Sequence, residues 1–226
     1  MTSESIIRRK ARHTRQRTKR TNRVFMALFV MGLVGASMWI ALSNTNSNPT
    51  LPAINSRLEY DPILGNPAAP VSIIEYGAYG CSACRAWHQA GIIEQILAEF
   101  PDQVRFAFRD FPVIIPTYDR MAAEIAQCAL DQSQADFWKF HDLLYTAAVP
   151  GMSSVELVAL GSQAGVGQVA LQGCISSGIH RETVEYDLSR AMELGLPGTP
   201  AFLVNDTRIF NATPEMLRSA IRTALG

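Results

Sequence analysis

The sequence predicts an α/β domain with a helical insertion, preceded by one N-terminal apolar segment. A β-branched run at 71–76 and an alternating run at 104–108 enclose a stretch with helical spacing of apolar residues. Helical patterns then dominate residues 118–194, and two short strand-like runs return at 201–210 before a last helix. The expected order of elements is therefore β-α-β, a helical insertion, and β-β-α.

The first unit begins with Val71–Tyr76 (VSIIEY), whose β-branched side chains predict a buried central strand. Apolar residues at helical spacing follow over 82–99, and Phe100-Pro101 ends that pattern, so we expect one helix there. Val104–Phe108 (VRFAF) alternates apolar with polar or small residues and predicts a second strand. These elements form a β-α-β unit.

The insertion, at about residues 116–194, is expected to be helical almost throughout. Its segment Asp136–Tyr145 (DFWKFHDLLY) has aromatic and aliphatic side chains at helical spacing, and we expect core packing there rather than a substrate groove. His141 is expected to be a hydrogen-bonded helix residue. Breaks between helices are expected at Pro150-Gly151, at 165–167 and at 176–178.

The last unit begins with a strand at Ala201–Val204 and a turn at Asn205-Asp206. A second strand at Arg208–Phe210 completes a hairpin. The final helix is expected over Pro214–Leu225, with Thr213 as its N-cap.

The distribution of charge divides the chain into two parts. Residues 1–23 carry nine Lys or Arg and one acidic residue, whereas the rest of the chain carries eleven basic and nineteen acidic residues. We exclude a nucleic-acid-binding function, because the body of the chain is acidic and an apolar segment follows the basic run directly. That segment, residues 24–42, is uncharged and long enough to cross about 30 Å of bilayer at about 1.5 Å per residue.

We therefore predict a single transmembrane anchor at 24–42, with residues 1–23 as a cytoplasmic tail, because positive charges stay on the cytoplasmic side. Residues 43–57 are polar and contain proline, which predicts a flexible linker to a domain at 58–225. A cleaved signal peptide is the alternative, since Ala41-Leu42-Ser43 has a small-x-small form. In both cases the domain is expected outside the cytoplasm.

The sequence Cys81-Ser82-Ala83-Cys84 opens the first helix directly after the first strand. Two thiols at this spacing are within reach of one disulfide, and a helix N-terminus favours the thiolate form of the first. The motif therefore predicts a redox centre. As an alternative, His88 lies on the same helical face and offers a third metal ligand. We favour the redox centre, because zinc normally needs four ligands at matched spacing.

The other two cysteines, Cys128 and Cys174, have no second cysteine two or three residues away. In an oxidising compartment an even number of cysteines implies disulfides, so we expect these two to form a structural one. Its loop closure would stabilise the fold by roughly 4 kcal/mol. A second redox-active pair is the alternative, although no thiolate-stabilising residue is visible near either cysteine in the sequence.

Several motifs together carry a family resemblance. A strand ending in Glu75-Tyr76 precedes the CxxC motif, and Gly198-Thr199-Pro200 precedes the hairpin. With the helical insertion and the lead-in at 64–71, this ordered set resembles the DsbA-like thiol:disulfide oxidoreductases of the thioredoxin superfamily, over about residues 58–225. The resemblance implies a thioredoxin-like fold with an inserted helical subdomain.

The resemblance also implies roles for five residues. Cys81 matches the more exposed nucleophile, which forms a mixed disulfide with the substrate, and Cys84 matches its buried resolving partner. Glu75 matches a buried acid that assists proton transfer to or from Cys84, and burial is expected to raise the pKa of such a carboxyl. Pro200 matches the cis-proline of the family. Thr199 matches the residue that pairs through its backbone with an extended substrate.

The implied function is that of a membrane-anchored, extracytoplasmic thiol oxidase, which donates the Cys81–Cys84 disulfide to exported proteins with free cysteines. Reoxidation is expected from a quinone-linked membrane partner of the DsbB or vitamin K epoxide reductase type. We expect a monomer that requires no metal or organic cofactor. Ser82-Ala83 departs from the Pro-His of the family's named member, which leaves the oxidising strength open. A reductase or isomerase is the first alternative, and a noncatalytic chaperone or binding module is the second.

Overall fold

A computed structural model describes Leu58 and residues 60–226 of the chain. The strands are β1 (Ile63–Gly65), β2 (Val71–Gly77), β3 (Val104–Asp110), β4 (Ala201–Val204) and β5 (Thr207–Ile209). The helices are α1 (Ser82–Gln89), α2 (Ile92–Glu99), α3 (Pro116–Leu130), α4 (Gln134–Thr146), α5 (Ser154–Gln163), α6 (Gln168–Ser177), α7 (Arg181–Glu193) and α8 (Pro214–Leu225). The predicted order of elements is present, and the short strand β1 precedes it.

The strands of the described region form one mixed sheet in the order β1-β3-β2-β4-β5. β2 runs parallel to β3 and antiparallel to β4, and the outer strands β1 and β5 are antiparallel to their neighbours. All seven residues of β2 are buried, as its β-branched composition predicted for a central strand. The centre of the sheet therefore leads directly into the CxxC motif.

Successive side chains of β2 point to opposite faces of the sheet. Ile73 belongs to a core that also contains Ile96 of α2 and Leu217 of α8. Ile74 packs on the other side, in a smaller core with Leu188 of α7. The sheet therefore lies between two helical layers, which bury both of its faces.

The single helix predicted over 82–99 is two helices, α1 and α2. Gly91 lies between them with a φ of 61°, a left-handed conformation that glycine adopts without steric cost. The prediction of one helix was wrong because the spacing of apolar residues continues across the break, so periodicity alone did not reveal it.

Helices α3–α7 lie between β3 and β4. The ends of α4, α5 and α6 fall close to the three predicted breaks. A further break, which was not predicted, separates α3 from α4, where the Ser133 hydroxyl accepts a hydrogen bond from the amide of Asp136. This serine is an N-cap, which starts a new helix where the pattern of apolar residues had predicted continuity.

The aromatic segment of α4 packs in the core, as predicted. Phe137, Phe140 and Leu144 are completely buried. Trp138 lies at the edge of this core and donates from Nε1 to the carbonyl oxygen of Ile63, at 3.0 Å. The helix thereby attaches the insertion to strand β1.

Strands β4 and β5 form the predicted hairpin, with Asn205 in the turn at a φ of 50°. β5 covers Thr207–Ile209, one residue earlier than predicted. The Thr213 hydroxyl accepts from the amide of Met216 at 3.2 Å, so Thr213 is the N-cap of α8, as predicted.

The predicted cytoplasmic tail at 1–23, anchor at 24–42 and linker at 43–57 lie outside the described residues. Within the part of the chain that the structure describes, no helix has both the length and the apolar character needed to cross a bilayer.

Candidate active site

The CxxC motif lies at the N-terminal end of α1, directly after β2. Cys81 is the N-cap residue, and its Sγ accepts a hydrogen bond from the backbone amide of Cys84 at 3.2 Å. Both residues are present as free thiols. Cys81 is 4% exposed and Cys84 is 1% exposed. The less buried sulfur therefore belongs to the residue at the helix terminus.

The two thiols differ strongly in acidity. Hydrogen bonding to the thiol of Cys84, to the side chain of Thr199 and to the backbone amides of Cys84 and Ala83 lowers the pKa of Cys81 to about 6, against the opposing effect of burial. Burial, assisted by the hydrogen bond to Cys81 and the charge of Glu75, raises the pKa of Cys84. Cys81 is therefore a thiolate near neutral pH, whereas Cys84 keeps its proton.

The loop between α7 and β4 brings Thr199 and Pro200 against Cys81. Their peptide bond is cis, and the Cys81 thiol donates to the carbonyl oxygen of Thr199 at 3.3 Å. A surface groove of about 200 Å³ begins at this loop and is lined in part by Pro200, Arg208 and Phe210.

Glu75 is buried on β2, two residues from Ile73 and therefore on the same face of the sheet. Burial raises its pKa to about 8, and the charges of Cys81 and Glu94 contribute further. A cavity of about 30 Å³ that Glu75, Glu94 and His88 help to line lies beside it. A polar cavity of this size can hold one water molecule.

The carboxylate of Asp119, in the first turn of α3, supports the loop that carries Cys81. Oδ1 accepts from the amide of Gly80 at 2.7 Å, while Oδ2 accepts from the amides of Ile114 and Ile115 at 3.0 and 2.7 Å. A Cβ on Gly80 would lie 2.6 Å from Oδ1, so this close approach requires glycine. Sequence reasoning missed Asp119; an acid in the first turn after Pro116 was the available signal.

Arg85 joins α1 to the end of α4. Its guanidinium donates to the carbonyl oxygens of Tyr145, Leu144 and Ala148, the latter two at 3.4 and 3.1 Å. The carbonyls of Leu144 and Tyr145 belong to the last turn of α4, where backbone acceptors lack intrahelical partners and cations are favoured. Ala148 follows the end of that helix. No sequence signal identified this contact, because it joins two helices about 60 residues apart.

Neither histidine near the motif faces the two thiols. The Nε2 of His88 lies 2.9 Å from Oδ1 of Asp142, and the Nδ1 of His141 is bonded to the hydroxyl of Tyr79 at 3.0 Å. Within residues 60–226, the cluster compact enough for a metal contains Cys128, Cys174 and His180, and does not include the alternative set with Cys81, Cys84 and His88.

Cys128 and Cys174 form a disulfide that joins α3 to α6, with an S–S distance of 1.97 Å and a Cα–Cα distance of 5.9 Å. The structure therefore brings Cys84 and Thr199 within hydrogen-bond distance of the Cys81 sulfur, and Pro200 follows Thr199 in the same loop. Glu75 interacts electrostatically with both cysteines. The charge of Cys81 raises the pKa of Glu75, and the charge of Glu75 raises the pKa of Cys84. The remaining two cysteines lie in the insertion.

A protein-family model described as Thioredoxin matches residues 57–223. The chain belongs to the thioredoxin family. This assignment accounts for the mixed sheet with helices on both faces and for the CxxC motif at a helix start. The predicted thioredoxin-like fold is confirmed for the described residues.

Among curated relatives, the chain is 27% identical over 166 residues to Na(+)/H(+) antiporter NhaA 1 of Salinispora arenicola, covering 73% of this chain and 24% of that protein. The chain thus spans about a quarter of such antiporters. It is also 27% identical to the probable disulfide bond formation protein D of Bacillus anthracis, covering 70% of this chain and 75% of the relative.

Solved structures of the thioredoxin family share the fold. The crystal structure of oxidised BdbD from Bacillus subtilis superimposes with a TM-score of 0.66 and 24% identity, covering 74% of this chain and 94% of that one. Together with the family assignment, these similarities confirm the resemblance to DsbA-like thiol:disulfide oxidoreductases that the motifs indicated.

Proposed function

We propose that the protein is a thiol:disulfide oxidoreductase that acts as an oxidase, donating the Cys81–Cys84 disulfide to substrate proteins. The observation that carries the proposal is the opposite acidity of the two thiols at the start of α1. A stable thiolate at Cys81 favours the reduced form of the pair, and a couple whose reduced form is stabilised is an oxidant.

The reaction begins with the disulfide closed between Cys81 and Cys84. A substrate thiolate attacks Sγ of Cys81 and forms a mixed disulfide, while the S–S bond breaks and Cys84 leaves as a thiolate. Glu75, whose pKa is about 8, is a carboxylic acid at neutral pH and supplies the proton that Cys84 takes up.

A second substrate thiolate then attacks the substrate sulfur of the mixed disulfide. The bond to Cys81 breaks, and Cys81 leaves as the stabilised thiolate. The substrate has lost two electrons and gained a disulfide, and the Cys81–Cys84 pair has gained those two electrons. A membrane partner of the quinone-linked type, DsbB-like or vitamin K epoxide reductase-like, removes them again.

The expected oxidising strength is intermediate. The nucleophilic cysteine has a pKa of about 7 in thioredoxin, which is a reductant, and of about 3.5 in the strongly oxidising DsbA. The value of about 6 for Cys81 lies between them. Ser82-Ala83 in place of Pro-His is consistent with a weaker stabilisation of the thiolate.

We propose that the domain acts outside the cytoplasm, held to the membrane by residues 24–42, as a monomer on exported proteins with free cysteines. Two features support this location. The N-terminal charge pattern is that of an anchor with its basic end in the cytoplasm, and a disulfide such as Cys128–Cys174 persists mainly in oxidising compartments.

The reduction potential of the Cys81–Cys84 couple tests the direction of electron flow. The full chain would be equilibrated in graded glutathione buffers, with thiols counted at each site by mass mapping. We expect a potential between about −230 and −130 mV, above the value of about −270 mV for thioredoxin. A potential at or below the thioredoxin value would contradict the oxidase and identify a reductase.

Trapping of substrates tests the mixed-disulfide step. In Cys84→Ala the Cys81 thiolate can attack a disulfide of a substrate protein, with one substrate sulfur leaving as a thiolate. No Cys84 thiol is present to release the substrate by closing the Cys81–Cys84 bond, so exported proteins should accumulate in reducible covalent complexes. Cys81→Ala is the matched control and should trap none. Full biological function of the variant that lacks both cysteines would instead identify a noncatalytic chaperone or binding module.

A further inference from the structure

Three helix ends meet at the Cys128–Cys174 disulfide. Cys128 lies in the last turn of α3, Asp131 is the C-cap of that helix, and Cys174 lies near the end of α6. His180 is the N-cap residue of α7. The ligand atoms of Cys128, Cys174 and His180 all lie within 4.8 Å of one another.

Asp131 lies at the edge of this cluster. Its Oδ2 lies 2.6 Å from Nε2 of His180 and 3.8 Å from Sγ of Cys174. Three groups that can bind a metal therefore converge between the helices, and the carboxylate of Asp131 lies beside two of them. Residue spacing alone does not reveal this cluster, because the cysteines stand 46 positions apart and neither has a histidine at metal-ligand spacing.

The chemistry of this set fits zinc. Two thiolates, one imidazole and one carboxylate are ligands that zinc accepts in a tetrahedral site, with Zn–S near 2.3 Å and Zn–N near 2.0–2.1 Å. Tetrahedral sulfurs at that bond length are roughly 3.8 Å apart. The two sulfurs, 1.97 Å apart in the disulfide, must therefore separate, so metal and disulfide exclude each other.

We propose that Cys128, Cys174, His180 and Asp131 form a zinc site that opens when the Cys128–Cys174 disulfide is reduced. A dithiol reductant supplies two electrons and two protons and becomes a disulfide, which leaves two thiols in the cluster. Zinc then replaces the two thiol protons, which are released to solvent. The inference is independent of the proposed oxidase activity, since it concerns the second cysteine pair alone.

The site is accessible from the surface. The side chain of Asp131 is 54% exposed and that of His180 15% exposed, while Cys174 is half-buried and Cys128 is buried. A metal ion can therefore enter past Asp131, with Cys128 as the inner ligand. Bound zinc would hold both sulfurs and prevent the disulfide from forming again.

Zinc titration of the full chain tests the site. The background protein for this test is the double variant Cys81→Ala, Cys84→Ala. Its remaining cysteines are Cys128 and Cys174, so any cysteine that binds zinc belongs to the second pair. The reduced protein is mixed with zinc alone, in competition with a chromophoric chelator. We expect one zinc per reduced chain and none per oxidised chain. Absence of binding by the reduced protein, or equal binding by the oxidised protein, would overturn the proposal.

His180→Ala in the same background should weaken zinc binding by more than about a hundredfold, since loss of an outer-shell partner alone costs about 10- to 100-fold. His88→Ala is the matched control, because His88 also pairs with a surface aspartate, Asp142, at 2.9 Å, and should leave the affinity unchanged. Circular dichroism spectra verify that each variant is folded. Unchanged affinity in folded His180→Ala would refute the site.

Zinc should also slow the return of the disulfide. After reduction, the Cys128–Cys174 bond is allowed to re-form under an added disulfide oxidant, and remaining thiols are counted over time. We expect zinc to slow re-formation at least tenfold in the background protein and to have no effect in His180→Ala. Equal rates with and without zinc in the background protein would also overturn the proposal.

Discussion

Cys81 and Cys84 carry the same chemical group three residues apart, yet their environments shift the pKa in opposite directions. Cys81 caps α1, so backbone amides that have no intrahelical acceptor point at its sulfur. Cys84 is one turn further into the helix and faces the core, where burial disfavours the thiolate. One turn of helix thus separates a nucleophile from its protonated partner.

Alkylation of Cys81 should follow its lowered pKa. With iodoacetamide, the rate for the reduced protein should rise about tenfold per pH unit below pH 6 and level off above about pH 7, because only the thiolate reacts. In Cys84→Ala the midpoint should move upward, since the Cys84 thiol is the largest cause of the lowered value. A wild-type midpoint near 8.5, the ordinary cysteine value, would contradict this account.

The buried carboxyl of Glu75 should make the reduced protein less stable as the pH rises from about 4.5 to about 8. Its pKa is raised to about 8 in the folded state from an ordinary 4.5, so unfolding releases a proton between these values and stability falls as pH rises through that window. We expect Glu75→Gln to be more stable at pH 7 by about 3 kcal/mol, in urea unfolding of the reduced protein.

The same substitution should slow catalysis, because Glu75 is the proposed proton donor to Cys84. The difference in stability between wild type and Glu75→Gln should vanish near pH 4, where both side chains are uncharged. A difference that persists unchanged at pH 4 would show that packing, and not ionisation, causes it.

At the scale of elements, the insertion holds the active-site helix at two points. Arg85 of α1 binds carbonyl oxygens at the end of α4 and just beyond it. Asp119 of α3 binds the backbone amide of Gly80, the residue before Cys81. In both contacts a charged side chain forms hydrogen bonds with backbone groups that have no partner within a helix or strand. The insertion is therefore part of the support of the redox centre.

Asp119→Ala should destabilise the protein by about 2 kcal/mol, because three backbone amides in part-buried hydrogen bonds lose a charged acceptor. We also expect the alkylation midpoint of Cys81 to shift, since the loop before it loses its support. Denaturant unfolding and the pH profile of alkylation provide the two measurements. Asp142→Ala, an exposed acid on α4, is the control and should change stability by less than about 0.5 kcal/mol.

Element types were predictable where a local signal existed. The β-branched run of β2, the Thr213 cap of α8 and the aromatic face of α4 were correctly assigned from the sequence. Two breaks were missed, at Gly91 and before Ser133, because apolar spacing continues across each of them. The periodicity of apolar residues shows which face of a helix is buried but not where the helix ends. Two consecutive helices can therefore share one continuous apolar pattern.

At the scale of the whole molecule, the disulfide closes a long loop of chain within the insertion. Cys128 and Cys174 are 46 positions apart, and the bond joins α3 to α6. Such a crosslink restricts the unfolded chain more than it changes the native structure.

Replacing both cysteines by alanine should lower the free energy of unfolding of the full chain by about 4 kcal/mol, as loop-closure entropy predicts for this separation. Urea titration under oxidising conditions measures the change. Reduction of the wild-type bond without zinc should have a similar effect. A loss below about 1 kcal/mol would show that helix packing alone holds the insertion together.

The whole molecule also assembles the redox centre from distant segments. Glu75 comes from the central strand, Cys81 from the helix that follows it, Asp119 from the insertion and Thr199 from the loop that returns to the sheet. β2 is the common neighbour, since it pairs with both β3 and β4. The fold therefore places residues more than 100 positions apart beside one sulfur.

Local spacing along the chain was sufficient to predict the CxxC centre, the order of elements and the family resemblance, because the chain carries that spacing in every conformation. The tertiary structure decided the acidities of Glu75 and Cys84, since burial exists only after folding. It also decided the contacts of Arg85 and Asp119 and the cluster around His180. Those contacts join helices far apart in sequence, and no local pattern encodes which helix ends will meet.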